Sequence, residues 1–141
     1  EDTSRYFTDK KIWQQGEAYT KHQGKYPVIY LSLKDANKFT WSDLYARLIE
    51  TIRDEFFRHS ELNDSPKISN PEFYKKIIAG QATEAEYSIS ILRLSRMLRE
   101  HYGQSVILII DEYDTPIQAG YINGFYNEAI QFIRDLFSVV V

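Results

Sequence analysis

Three observations predict an α/β layered domain with parallel strands for this 141-residue sequence. Two short aliphatic runs, 26–33 and 105–110, have the length and β-branched content of strands covered on both faces of a parallel sheet. Helical stripes fill the stretch between them and return after the second run, so the order is β, helices, β, helices. Composition agrees, because 43% hydrophobic and 26% charged residues, with only 6 Gly and 4 Pro, describe one packed globular domain.

Taken in order, the opening stretch to Gly24 is polar with scattered aromatics and suggests short helical turns. Pro27 sits where a strand tolerates it, at the start of Val28-Ile29-Tyr30-Leu31-Ser32-Leu33. Thr40 caps a helix over 41–59, in which Trp41, Leu44, Tyr45, Leu48, Ile49, Ile52 and Phe56 form an apolar stripe. After a loop around Asn63–Pro66, Asn70-Pro71 is a cap followed by proline at the first helical position, predicting a short helix over 70–79 closed by Gly80. Thr83 and Glu86 make a capping box for one continuous helix over 83–102, stopped at Gly103. Beyond the second strand, Thr115-Pro116 restarts a helical turn that Asn123-Gly124 breaks, and a last helix runs over 125–141.

The same composition excludes several function classes. Zero cysteines remove disulfides, thiolate metal sites and cysteine nucleophiles. A net charge of −3 does not favour direct binding to nucleic acid. A membrane helix needs about 20 apolar residues, and the longest strongly aliphatic run, Val106 to Ile110, is far shorter. The chain starts without Met or a signal-peptide layout, which leads us to expect a cytoplasmic protein and termini that cut through a longer polypeptide. His22, His59 and His101 lack metal-ligand spacing, and Arg93, Arg96 and Arg99 read best as a solvated helix face.

The sharpest chemical feature is the strand Val106-Ile107-Leu108-Ile109-Ile110 running into Asp111-Glu112. Ligands of open α/β sheets bind at the carboxyl ends of strands. There, the first acid can hold a hydrated Mg²⁺ beside phosphates while the second orients and deprotonates an attacking water. This resembles the Walker B element of P-loop ATPases, with Asp111 in the metal role and Glu112 as catalytic base. By spacing alone, a solvated loop after a buried strand fits equally well. Asp114 completes a run of three acids and is a further candidate metal contact, although starting the Thr115-Pro116 turn explains it better. No G-x-x-x-x-G-K-[ST] loop occurs in the 141 residues, so the triphosphate has no cradle within them.

Three stretches together resemble a known family: Gly24 to Leu33 (GKYPVIYLSL), Val106 to Ile117 (VILIIDEYDTPI) and Asn127 to Arg134 (NEAIQFIR). It is the predicted AAA-ATPase-like domain found in many bacterial proteins upstream of a PD-(D/E)XK nuclease-like domain, and the resemblance spans essentially residues 1–141. It implies a partial P-loop NTPase-like parallel sheet, with the Walker A loop before Glu1 and a sensor strand after Val141. It also implies ATP and Mg²⁺ as ligands, Walker B roles for Asp111 and Glu112, no assigned role for Asp114, and a linked nuclease-like domain as an intramolecular partner.

The leading reading is therefore an internal portion of an ATPase domain, inactive alone because Walker A is absent. One alternative is a non-catalytic interaction module that docks a partner through the helices at 41–59 and 83–102. A third is a metal-dependent nuclease built on Asp111, Glu112 and Asp114. If the strand at 106–110 lacks its neighbour, its unpaired edge is expected to drive self-association or pairing with another segment.

Overall fold

The structure, a computed structural model, describes residues 26–138. In chain order they form β1 (Val28–Ser32), α1 (Trp41–Arg58), a 3-10 turn (Ser60–Asp64), α2 (Pro71–Ile78), α3 (Glu84–Ser88), α4 (Ser90–Tyr102), β2 (Ile107–Asp111), α5 (Asp114–Asn123) and α6 (Tyr126–Leu136). The α/β class is as expected: β1 and β2 pair in parallel, flanked by helices. The expected turns before Gly24 and the end of the last helix at 139–141 lie outside the described residues.

Local chemistry sets most of the helix ends. Thr40 Oγ1 accepts from the Asp43 amide at 3.1 Å, and Asn70 Oδ1 accepts from the Phe73 amide at 3.3 Å ahead of Pro71. The Thr83–Glu86 capping box is complete in both directions. The helix expected over 83–102 is nevertheless two helices, parted at Ile89. Ser88 Oγ donates to the Ala85 carbonyl at 2.7 Å and Ser90 Oγ to the Tyr87 carbonyl at 2.6 Å, so hydroxyls from both sides of the break occupy carbonyls of α3. The turn expected at Thr115-Pro116 grows into the ten-residue helix α5, closed by Gly124 at φ 88°. The last helix, expected to run on through 138 to 141, ends at Leu136 instead, and Ser138 Oγ donates to the Asp135 carbonyl just past it.

The core lies between one sheet face and the helices. Ile29 and Leu31 are fully buried beneath Leu44, Leu48, Ile52 and Phe56 of α1 and Ile91, Leu94 and Leu98 of α4. Trp41 and Tyr45 pack on Phe132 of α6 with edge-on ring contacts. In the sheet, Ile29 pairs with Leu108 and Leu31 with Ile110 on this core side. The opposite side carries Val28, Tyr30 and Ser32 against Ile107, Ile109 and Asp111. Here the expectation of strands buried on both faces is corrected. Val28, Tyr30 and Ser32 are only half-buried, and so is every residue of β2 on either face.

The two long edges of this sheet differ. Along the outer edge of β1, the Tyr30 amide donates to Glu55 Oε2 at 2.9 Å, and Arg58 Nη2 donates to the Val28 carbonyl at 2.8 Å. Glu55 is 5% exposed and also accepts from Arg58 Nε, Arg58 Nη2 and His59 Nε2, so an ion pair on α1 supplies the donor and acceptor that a third strand would supply. His59 Nδ1 faces Glu61, which in turn accepts from the Tyr102 hydroxyl at 2.6 Å. β2 pairs with β1 alone among the described residues.

Burial pushes the Glu55 carboxyl up, but hydrogen bonds from His59, Arg58 and the Tyr30 amide outweigh it and hold the group below its ordinary value. A carboxyl lowered in the folded state stabilises above its unfolded-state value, and that contribution disappears as pH falls through the folded value. Glu55→Gln should therefore cost about 1–3 kcal/mol at neutral pH in urea unfolding. The gap between variant and wild type should start to narrow as pH falls past the ordinary glutamate value of about 4.3 and close below the lowered folded one; a gap that persists into strong acid would contradict an ionised Glu55 at the strand edge.

Candidate functional site at the carboxyl edge of the sheet

The carboxyl ends of β1 and β2 lie side by side, since Ser32 pairs with Asp111 and the Leu33 amide donates to the Asp111 carbonyl at 2.9 Å. Asp111 is thus the last residue of the strand, one position further than the expected end at 110, and it is half-buried. Glu112 follows as an exposed residue at φ 55°, the one left-handed residue other than glycine among the described residues. Its carbonyl accepts from the Thr115 amide at 3.2 Å, which turns the chain straight from the strand into α5. A non-glycine residue in this region costs about 1–2 kcal/mol, and such strain concentrates where a side chain must be aimed.

Asp114 is placed elsewhere. It is the exposed first residue of α5 and accepts from Gln118 Nε2 at 3.3 Å, the local role that best explained it in the sequence. No group of three or more His, Asp or Glu side chains that could hold a metal occurs among the described residues. The helices that the interaction alternative would use turn their apolar stripes into the core. The large apolar side chains left most exposed are Phe39, Tyr121 and Ile122.

Two neighbours of the acid pair escaped the sequence reading. Tyr30 and Ser32 share a sheet face with Asp111, and both are half-buried. Burial, followed by the negative charge of Asp111, pushes the Tyr30 phenol up; Glu112 adds to this and the Ser32 hydroxyl opposes it. The Ser32 Oγ atom itself is buried beside that phenol without a hydrogen bond of ordinary geometry. The donors gathered here, a carboxylate, a hydroxyl and an adjacent second carboxylate, are all oxygens and suit a hard cation such as Mg²⁺. Strand alternation marks Tyr30 and Ser32 as neighbours on one face, but the register that sets them against Asp111 is tertiary.

The acid pair lies at the carboxyl edge of a parallel pair of strands, the edge at which open α/β sheets bind ligands. The chain matches the family model described as Predicted AAA-ATPase over residues 1–141, and it belongs to this AAA-ATPase-like family. That membership suggests nucleotide binding. No curated protein and no solved structure matches the chain. Among the described residues, no helix is long and apolar enough to cross a membrane.

The backbone at 112 gives a stability test. Replacing Glu112 by Gly relieves left-handed strain of about 1–2 kcal/mol and returns about half of it as chain entropy, a net gain of roughly 0.5–1 kcal/mol. Urea unfolding should show a higher midpoint for Glu112→Gly, and an unchanged or lower midpoint would contradict the strained turn.

Proposed function

We propose that this domain takes part in ATP binding and hydrolysis and contributes the Walker B element. The observation that carries the reading is the placement of Asp111 and Glu112 at the carboxyl edge of a parallel strand in a chain of AAA-ATPase-like family. Asp111 sits at the strand end, where its carboxylate would hold Mg²⁺ through water, with the Ser32 hydroxyl beside it. Bound there, Mg²⁺ neutralises phosphate charge. Glu112 is exposed and its backbone is fixed by the turn into α5, which suits a base that takes a proton from an attacking water. Asp114, bonded within its own helix, is at most an outer contact of the same metal.

The phosphate-binding loop lies in this reading outside the 141 residues, which contain no G-x-x-x-x-G-K-[ST]. The 141 residues alone are then inactive. Growth of the sheet along the open edge of β2 would bring the missing wall next to Asp111, and without that neighbour the edge drives self-association. A cytoplasmic setting and a nuclease-like domain in the same polypeptide belong to the same proposal.

In a polypeptide that includes the phosphate loop, Glu112→Gln should retain ATP affinity and lose about 10²- to 10⁴-fold in turnover, the usual worth of a positioned base. Hydrolysis at the wild-type rate in that variant would remove Glu112 from the base role.

A further inference from the structure

Glu55 is the one buried carboxylate among the described residues, and it lies against Arg58 and His59. Burying an ion pair is a weak route to stability, because an apolar pair of similar volume often packs as well or better. What the pair bonds gives it another use. The Ile107 amide donates to the Pro27 carbonyl and the Leu33 amide to the Asp111 carbonyl, so the odd-numbered residues of β1 face β2. Val28, Tyr30 and Ser32 therefore direct their backbone groups to the outer edge. There Glu55 takes the Tyr30 amide and Arg58 takes the Val28 carbonyl. Two apolar side chains would fill the same space and leave that donor and acceptor open, and open strand edges pair with other strands.

We propose that Glu55 and Arg58 guard this edge against a second copy of the chain, whose own β1 is the strand that would otherwise add there. Identical edges meet about a two-fold axis, which makes the two strands antiparallel. Tyr30 is the middle one of the three outward residues and would lie opposite its own counterpart, with Val28 opposite the counterpart of Ser32. In an antiparallel hydrogen-bonded pair each residue donates its amide and accepts at its carbonyl. Pairing would thus use the Tyr30 amide and the Val28 carbonyl, the two groups that the ion pair occupies. The guard leaves the β2 edge as it is, and it acts whether or not the domain hydrolyses ATP.

The test is disulfide trapping in the 141-residue chain, which has no cysteine of its own, so that one introduced thiol reports one contact. Across a β1–β1 pair the Cα atoms of residue 30 would be about 5.5 Å apart, within disulfide reach. Across a β2–β2 pair they would be three strand spacings apart, about 14 Å, and out of reach. Adding Glu55→Met and Arg58→Met to Tyr30→Cys should raise the yield of disulfide dimer about tenfold, the worth of the backbone bonds released to the second copy. A folded double replacement with no more dimer than Tyr30→Cys alone overturns the inference. Abundant dimer in Tyr30→Cys with Glu55 and Arg58 intact overturns it too, since the edge is then unguarded. If the double replacement does not fold, Arg58→Met decides alone, at a side chain that is 51% exposed. It opens the Val28 carbonyl and should still raise the yield, and an unchanged yield overturns the inference.

Discussion

A β-strand presents hydrogen-bonding groups along both of its edges, and in this domain one edge of β1 is closed by side chains instead of by backbone. Glu55 accepts from the Tyr30 amide and Arg58 donates to the Val28 carbonyl, so the ion pair matches the donor and acceptor spacing of a neighbouring strand. The carboxylate tolerates burial because it accepts from Arg58 and His59 as well. With that edge closed, β1 is the outer strand among the described residues, and the edge of β2 is the open one.

This asymmetry sets the place of the acid pair. Asp111 ends the strand with the open edge, and the chain turns from it through the strained left-handed Glu112 into α5. At its other end α5 closes on Gly124 and packs tightly on α6, where a Cβ on Gly120 would come within 3.0 Å of the Ala129 side chain. Sheet edge, turn and helix pair thus fix the backbone at residues 111–114. The pinned strand beside them adds Tyr30 and Ser32 to the same face.

Much of this was legible in the sequence because it is local. Thr40, Asn70-Pro71 and the Thr83–Glu86 box each announce a helix start through one side chain and one amide, and all three hold. The aliphatic run before Asp111-Glu112 marks a strand for the same reason. What escaped the reading is tertiary or turns on a single competing hydroxyl. Ser88 and Ser90 split a helix that an unbroken stripe of Tyr87, Ile91, Leu94 and Leu98 had joined. Burial of β2 was overstated because an aliphatic run reports that a strand is apolar, not how many layers cover it. Glu55 carried a usable signal, an acid among the stripe residues with Arg58 and His59 at three and four positions on, but its target on β1 was not in the sequence pattern.

The most direct test of the account is to map where a metal nucleotide sits on a polypeptide that includes a phosphate loop. With Mn²⁺ in place of Mg²⁺, bound MnATP broadens the amide signals of nearby residues. The account predicts broadening centred on Ser32, Leu33 and residues 111–113. Sharp signals there, with broadening at the groove beside α2 that holds Lys75 and Lys76 or at the one between α3 and α6 that holds Glu84 and Glu128, would contradict it.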